Sequence, residues 1–110
     1  MIGVDIVKIS RFNDNYLDIA RRFLSQRENE EMNSRNIERR PTYVASRFSA
    51  KEAYLKATSV KLNPLDIETL NDESGKPHIY YKGEEKAYIS ISHDDYVACF
   101  VTMKIEGEKN

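Results

Sequence analysis

A chain of 110 residues with 17 Lys and Arg against 18 Asp and Glu, net charge −1, lacks the basic surplus of a general nucleic-acid binder. At this length one domain is expected, burying about 65% of its unfolded surface, so a ligand belongs in a surface cleft or a groove shared between subunits. The lone Cys99 excludes an internal disulfide framework, no Cys/His cluster has zinc spacing, and no run approaches the roughly 18 apolar residues of a membrane span.

The first segment, MIGVDIVKIS, is too short and too acidic for a signal peptide, so a soluble, cytoplasmic protein is expected. Residues 2–9 read as a strand, with Ile2, Val4 and Ile6 on one face and Gly3, Asp5, Val7 and Ile9 on the other. Asp5 is thus an acid inside an apolar strand, with a glycine two residues away on its own face. Asn13 or Asp14 can cap a helix running to about Leu24, with Leu17, Ala20, Phe23 and Leu24 inward. Ser25 and Glu28 have capping-box spacing and predict a short second helix to about Asn33. Residues 34–40 are a polar connector, and Pro41 suits the first turn of a helix reaching Thr58.

The second half changes period. Residues 64–70 alternate as a strand, 71–77 form a turn cluster, and 78–82 form a second strand. Gly83-Glu84-Glu85 turns the chain into the strongly alternating 86–93. His93-Asp94-Asp95 then leads tightly into 96–105, whose apolar run YVACFV makes Cys99 a core residue. The last three strands, closely spaced, predict an antiparallel meander, and EGEKN predicts a frayed tail. The order is β-α-α-α-β-β-β-β, an α+β fold with a largely antiparallel sheet packed on a long central helix.

That helix carries the chemistry. At about 100° per residue, Val44, Phe48 and Leu55 fall together, Ser46, Ala50, Ala53 and Ala57 form a stripe of small residues, and Ala45, Ser49, Glu52 and Lys56 form a third. Little of the circumference is polar, so the helix is expected to be largely enclosed. Glu52 and Lys56 are either an i,i+4 ion pair worth about 0.2–0.5 kcal/mol or part of a site whose short neighbours leave room for a ligand. Asp5 supports the second reading. Two carboxylates lodged in apolar elements repel unless a cation or proton lies between them. Mg²⁺ is often held by one or two carboxylates plus substrate phosphates, so Asp5, Glu52 and Lys56 form a chemically coherent Mg²⁺–phosphate set.

IGVDIVKISR at the start, FLSQRENEEM, RFSAKEAYLKA, SGKP at 74–77 and ISISH at 89–93 together resemble the holo-acyl-carrier-protein synthases, the small type of 4′-phosphopantetheinyl transferase. The resemblance spans nearly the whole chain, in order. It implies transfer of the 4′-phosphopantetheine arm of coenzyme A to a serine of apo acyl carrier protein, releasing adenosine 3′,5′-bisphosphate. It also implies a requirement for Mg²⁺ and a homotrimer with its active sites at subunit junctions.

By matching motif, the resemblance makes Asp5 and Glu52 the metal ligands and turns Lys56 toward the phosphates; general-base chemistry then gives Glu52, directly or through a metal-bound water, the serine proton. Arg47, Lys76, Pro77, Ser92 and His93 fall at coenzyme-binding positions. Arg11 falls at a carrier-contacting position; Arg21 and Arg22 extend it into a basic patch that would steer an acidic partner. There is one departure. Where the family has a Gly-Thr-Gly turn against the donor, this chain reads ATSVKLNP, and residues other than glycine hinder close backbone approach to a phosphate. A non-catalytic module binding a nucleotide or acidic protein in the same cleft is the alternative. His78 reads as a surface residue, and the aromatic residues as sheet and subunit contacts.

Overall fold

The structure, a computed structural model, describes residues 1–105, so the predicted EGEKN tail lies outside the described residues. In chain order the elements are β1 (Ile2–Lys8), α1 (Tyr16–Phe23), α2 (Gln26–Asn33), α3 (Arg40–Thr58), β2 (Ile67–Asn71), β3 (Pro77–Tyr81), β4 (Ala87–His93) and β5 (Tyr96–Met103). The α+β order expected from periodicity is the order observed. No helix among the described residues is long and apolar enough to cross a membrane.

The strands form two antiparallel sheets, one ordered β1-β5-β4 and the other a β2-β3 hairpin. This corrects the meander: β3 pairs with β2, not with β4. The turn decides it. Asp72 accepts hydrogen bonds from the Ser74 and Lys76 N–H groups (2.9 and 3.0 Å), and Gly75 supplies the positive φ that closes the loop. Pro77 stands opposite Asn71 in the hairpin register. Residues 64–66 are a 3-10 turn capped by Asn63, so the strand starts later than alternation suggested.

The outer edge of β2 faces the helices, and side chains take the place of a neighbouring strand. The Thr69 and Asn71 N–H groups donate to Glu28 and Glu31, one turn apart on α2 (2.9 and 2.8 Å). The Thr69 carbonyl accepts from Arg47 Nε (3.0 Å), and the Ile67 carbonyl accepts from Lys51 Nζ. An edge strand whose polar groups are already satisfied offers no template for another.

Helix α3 is the spine of the molecule. Val44, Ala45, Ala50 and Ala53 are fully buried, as the nearly apolar wheel required. The stripe of small residues lets β1 come close: a Cβ added at Gly3 would stand 2.0 Å from the Ala53 carbonyl oxygen, so only glycine fits there. Phe48 packs edge-on against Phe12 and Phe23, both at 5.8 Å between centroids. The capping box at Ser25 and Glu28 forms as the spacing predicted. Helix α1 starts later than Asn13 or Asp14, because Ile9–Phe12 first makes a 3-10 turn. The inward stripe is therefore Tyr16, Ile19, Ala20 and Phe23, and Leu17, expected inside, is 59% exposed.

Candidate active site

Asp5 faces α3 across the gap that Gly3 keeps narrow. Its Oδ2 accepts from the buried Ser49 hydroxyl at 2.9 Å, and its Oδ1 accepts from Lys56 Nζ at 3.0 Å. Lys56 also donates to the Val4 carbonyl at 3.1 Å. Ser49 and Lys56 sit two turns apart on one stripe of α3, and Glu52 lies between them on that stripe. The i,i+4 Glu52–Lys56 ion pair weighed from sequence does not form, because Lys56 pairs with Asp5 instead. Among the described residues Glu52 makes no hydrogen bond or ion pair, which leaves its half-buried carboxylate available. Cys99, directly across the sheet from Asp5, has its thiol pushed up to about 11 by burial and stays protonated, so it adds no competing charge.

A cleft of about 610 Å³ opens over the first half of α3. Arg35, Arg39, Thr42, Tyr43, Ser46 and Arg47 line one side, with Glu38 at the rim, and Asn71, Gly75, Pro77, Ile91 and His93 line the other. Three guanidiniums against one carboxylate suit a phosphorylated ligand. The Tyr43 ring lies between two of them, 5.3 Å from Arg35 and 4.2 Å from Arg47. The cleft and Asp5 share one row of the sheet, because Asp5 is opposite Cys99 and Cys99 is opposite Ile91. Two strand spacings put Asp5 about 10 Å from Ile91.

Arg47, Pro77 and His93 are thus brought into one cleft, and Lys76 lies between the lining residues Gly75 and Pro77. Ser92 points to the opposite face of β4 from His93 and lines a separate depression under the β4–β5 turn, together with His93. Arg11, Arg21 and Arg22 are exposed and do not line the cleft. Arg21 and Arg22 share Asp18 as an ion-pair partner, at 2.5 and 3.3 Å, which tempers the basic patch. Sequence reasoning missed Ser49, Arg35 and Arg39. Ser49 had a signal, a hydroxyl in a stripe of apolar and small residues. The arginines had none, since they lie in a segment that reads only as a polar connector.

An α+β fold with an arginine-lined cleft two strand spacings from the Asp5 carboxylate is of a class suited to a phosphorylated ligand. A family model, the 4′-phosphopantetheinyl transferase superfamily, matches residues 1–101. A holo-acyl-carrier-protein synthase of Staphylococcus saprophyticus is 39% identical over 105 residues, 88% of this chain and 90% of the relative. A solved holo-acyl-carrier-protein synthase from Bacillus anthracis, in complex with CoA (3′,5′-ADP), superposes with a TM-score of 0.82 at 31% identity over 93% of each chain. The Helicobacter pylori holo-acyl-carrier-protein synthase in complex with coenzyme A gives 0.79 at 28% identity, over 94% of this chain and 100% of that one. The chain belongs to the 4′-phosphopantetheinyl transferase superfamily.

Proposed function

We propose that this chain transfers the 4′-phosphopantetheine group of coenzyme A to a serine of apo acyl carrier protein, giving the holo carrier and adenosine 3′,5′-bisphosphate. The observation that carries the reading is the Asp5 carboxylate, gripped by Ser49 and Lys56 and joined to the arginine-lined cleft by one row of the sheet. The cleft takes the nucleotide end. The serine hydroxyl attacks the phosphorus nearest the pantetheine, the diphosphate P–O bond breaks, and the bisphosphate leaves. Glu52 accepts the serine proton and Lys56 offsets charge on the departing phosphate.

The donor set fits Mg²⁺. Asp5 on β1 and Glu52 on α3 offer hard oxygens, while no group of three or more His, Cys, Asp or Glu gathers among the described residues. Two carboxylates completed by substrate phosphates are the usual protein share of such a site. When bound there, Mg²⁺ neutralises charge on the diphosphate.

Two surfaces extend the reading. The sheet face away from α3 exposes Val4, Ile6, Tyr88, Tyr96 and Phe100, an apolar face that suits a homotrimer with shared active sites. Exposed Arg11, Arg21 and Arg22, with the exposed Leu17 one turn before Arg21, offer basic and apolar surface for the acidic carrier protein. The cytoplasm, where coenzyme A and carrier proteins meet, is the matching compartment.

The test is incubation with coenzyme A, Mg²⁺ and apo carrier protein, read as the mass gain of one phosphopantetheine arm. No gain at any salt or Mg²⁺ concentration favours the non-catalytic alternative. Near-normal turnover by Glu52→Gln at saturating substrates removes Glu52 from both its roles.

A further inference from the structure

Glu31 belongs to none of the site motifs and does not line the cleft, yet three elements meet at its carboxylate. Its Oε1 accepts from the Tyr43 hydroxyl at 2.6 Å and from Arg47 Nη2 at 3.2 Å. Its Oε2 accepts from the Asn71 N–H at 2.8 Å. Tyr43, Arg47 and Asn71 are all cleft-lining residues, so one side chain of α2 fastens the wall that α3 and β2 present to the ligand.

The hydrogen-bond inventory of Arg47 sharpens the point. A guanidinium has five N–H groups. Nε donates to the Thr69 carbonyl, Nη1 to Ser46 Oγ, and Nη2 to both Glu31 and Asn71 Oδ1 at 2.8 Å. One N–H, on Nη1, is left for a ligand, and the residue is only 4% exposed. Arg47 is therefore a fixed charge beneath the cleft and not a mobile arm reaching into it. Tyr43 is fixed in the same way. Burial above all, with the bond to Glu31, drives its phenol far above the usual range, so it stays a donor.

We infer that Glu31 is a positioning residue for the coenzyme cleft: it holds Arg47 and Tyr43 in the one arrangement in which the guanidinium stacks on the ring and turns its last N–H toward the ligand. The inference deepens the coenzyme reading and rests on it. Without the carboxylate, Arg47 Nη2 keeps only Asn71, and the Tyr43 hydroxyl loses its acceptor. The ring between two guanidiniums also loses the negative charge that balances them.

The experiment compares wild type, Glu31→Ala and the size-preserving Glu31→Gln, with Asn29→Ala as a stability control. Asn29 ties α1 to α2 through the Ala20, Leu24 and Ser25 carbonyls, at 3.0–3.2 Å, and touches no cleft residue. Binding of adenosine 3′,5′-bisphosphate is measured by calorimetry, and KM for coenzyme A and for carrier protein by turnover. Both Glu31 variants are expected to raise the bisphosphate Kd and the coenzyme KM about tenfold, leaving the carrier KM within about twofold. Asn29→Ala is expected to lower the melting temperature and leave the Kd alone. Wild-type Kd in Glu31→Gln and in whatever Glu31→Ala folds overturns the inference, as does an equal rise in Asn29→Ala. A wild-type chain that binds no bisphosphate overturns the coenzyme reading itself, and this inference with it.

Discussion

Lys51 Nζ stands 2.8 Å from a carboxylate oxygen of Glu28, and the two side chains are 3% and 0% exposed. The ammonium's other donors go to the Pro64 carbonyl at 2.8 Å and to the Ile67 carbonyl, so all three are used. Glu28 accepts in addition from the Ser25 and Thr69 N–H groups. Burial pulls the ammonium's pKa down, and Glu28 opposes the fall. The first lysine of KEAxxKA is therefore a brace between α2, α3 and β2, distinct in purpose from Lys56.

Breaking such a pair from one side leaves a buried charge uncompensated, at a cost of about 3–5 kcal/mol. Lys51→Met is expected to lose that much in urea unfolding. Adding Glu28→Gln to it should recover part of the loss. A double variant as unstable as the sum of the singles would show that the two groups do not act as a pair.

Ser49 offers a one-atom test of the metal reading. Its hydroxyl occupies Asp5 Oδ2 and so aims Oδ1 at the place where Lys56 meets it. Partners that orient a ligating carboxylate are worth about 10- to 100-fold in metal affinity. Ser49→Ala should raise the Mg²⁺ concentration needed for half-maximal turnover by about tenfold, and weaken Mn²⁺ binding seen by electron paramagnetic resonance equally. An unchanged metal requirement would remove Ser49 from this role.

Ser59 ends α3 in the left-handed region, at φ 58 and ψ 22, with its N–H on the Leu55 carbonyl at 2.9 Å. It stands where the family's glycine-rich turn begins, and it adopts the conformation that glycine takes most easily. A side chain there costs about 1–2 kcal/mol, offset in part by the freedom glycine gains in the unfolded chain. Ser59→Gly is expected to stabilise the protein by about 1 kcal/mol, visible as a higher melting temperature. A lower one would mean the hydroxyl has a use that the backbone geometry does not reveal.

His78 bridges two turns, with Nδ1 2.6 Å from Glu85 and Nε2 2.9 Å from Asp72. Both ring nitrogens can donate only in the imidazolium form. Its pKa is raised, first by the bond to Glu85 and then by that to Asp72. A group whose pKa is raised on folding contributes stability that is complete below its unfolded value, about 6.5, and that fades as pH rises through the folded value. Urea midpoints should therefore fall as pH rises above about 6.5 by more in wild type than in His78→Gln. Parallel pH profiles would refute the bridge.

Local pattern carried most of the fold. Alternation in 2–9 and 86–93, the capping box at Ser25 and the apolar wheel of 44–57 each depend on neighbours in sequence, and each element formed. Leu17 was misplaced: the helix begins one or two residues later than its predicted caps imply, and Tyr16, Ile19, Ala20 and Phe23 take the inward face. The pairing of β2 with β3 hid for a different reason: what satisfies the other edge of β2 is a set of charges far off in sequence. In the site, Asp5 and Lys56 stood out as charges in apolar company. Glu28 and Glu31 did not, because a carboxylate on a polar-looking helix reads as solvated until the strand it grips is in place.

The strand bearing Asp5 is the first element of the chain, and its neighbour in the sheet is β5, the last among the described residues. At ordinary elongation rates of about 5–20 residues per second, Ile2, Val4 and Ile6 leave the ribosome many seconds before the strand they need has been made. During that interval an apolar ribbon with open backbone groups is exposed to every other nascent chain nearby. Closing so long a loop is also slow, so this small protein should fold late and lean on chaperones more than its size suggests.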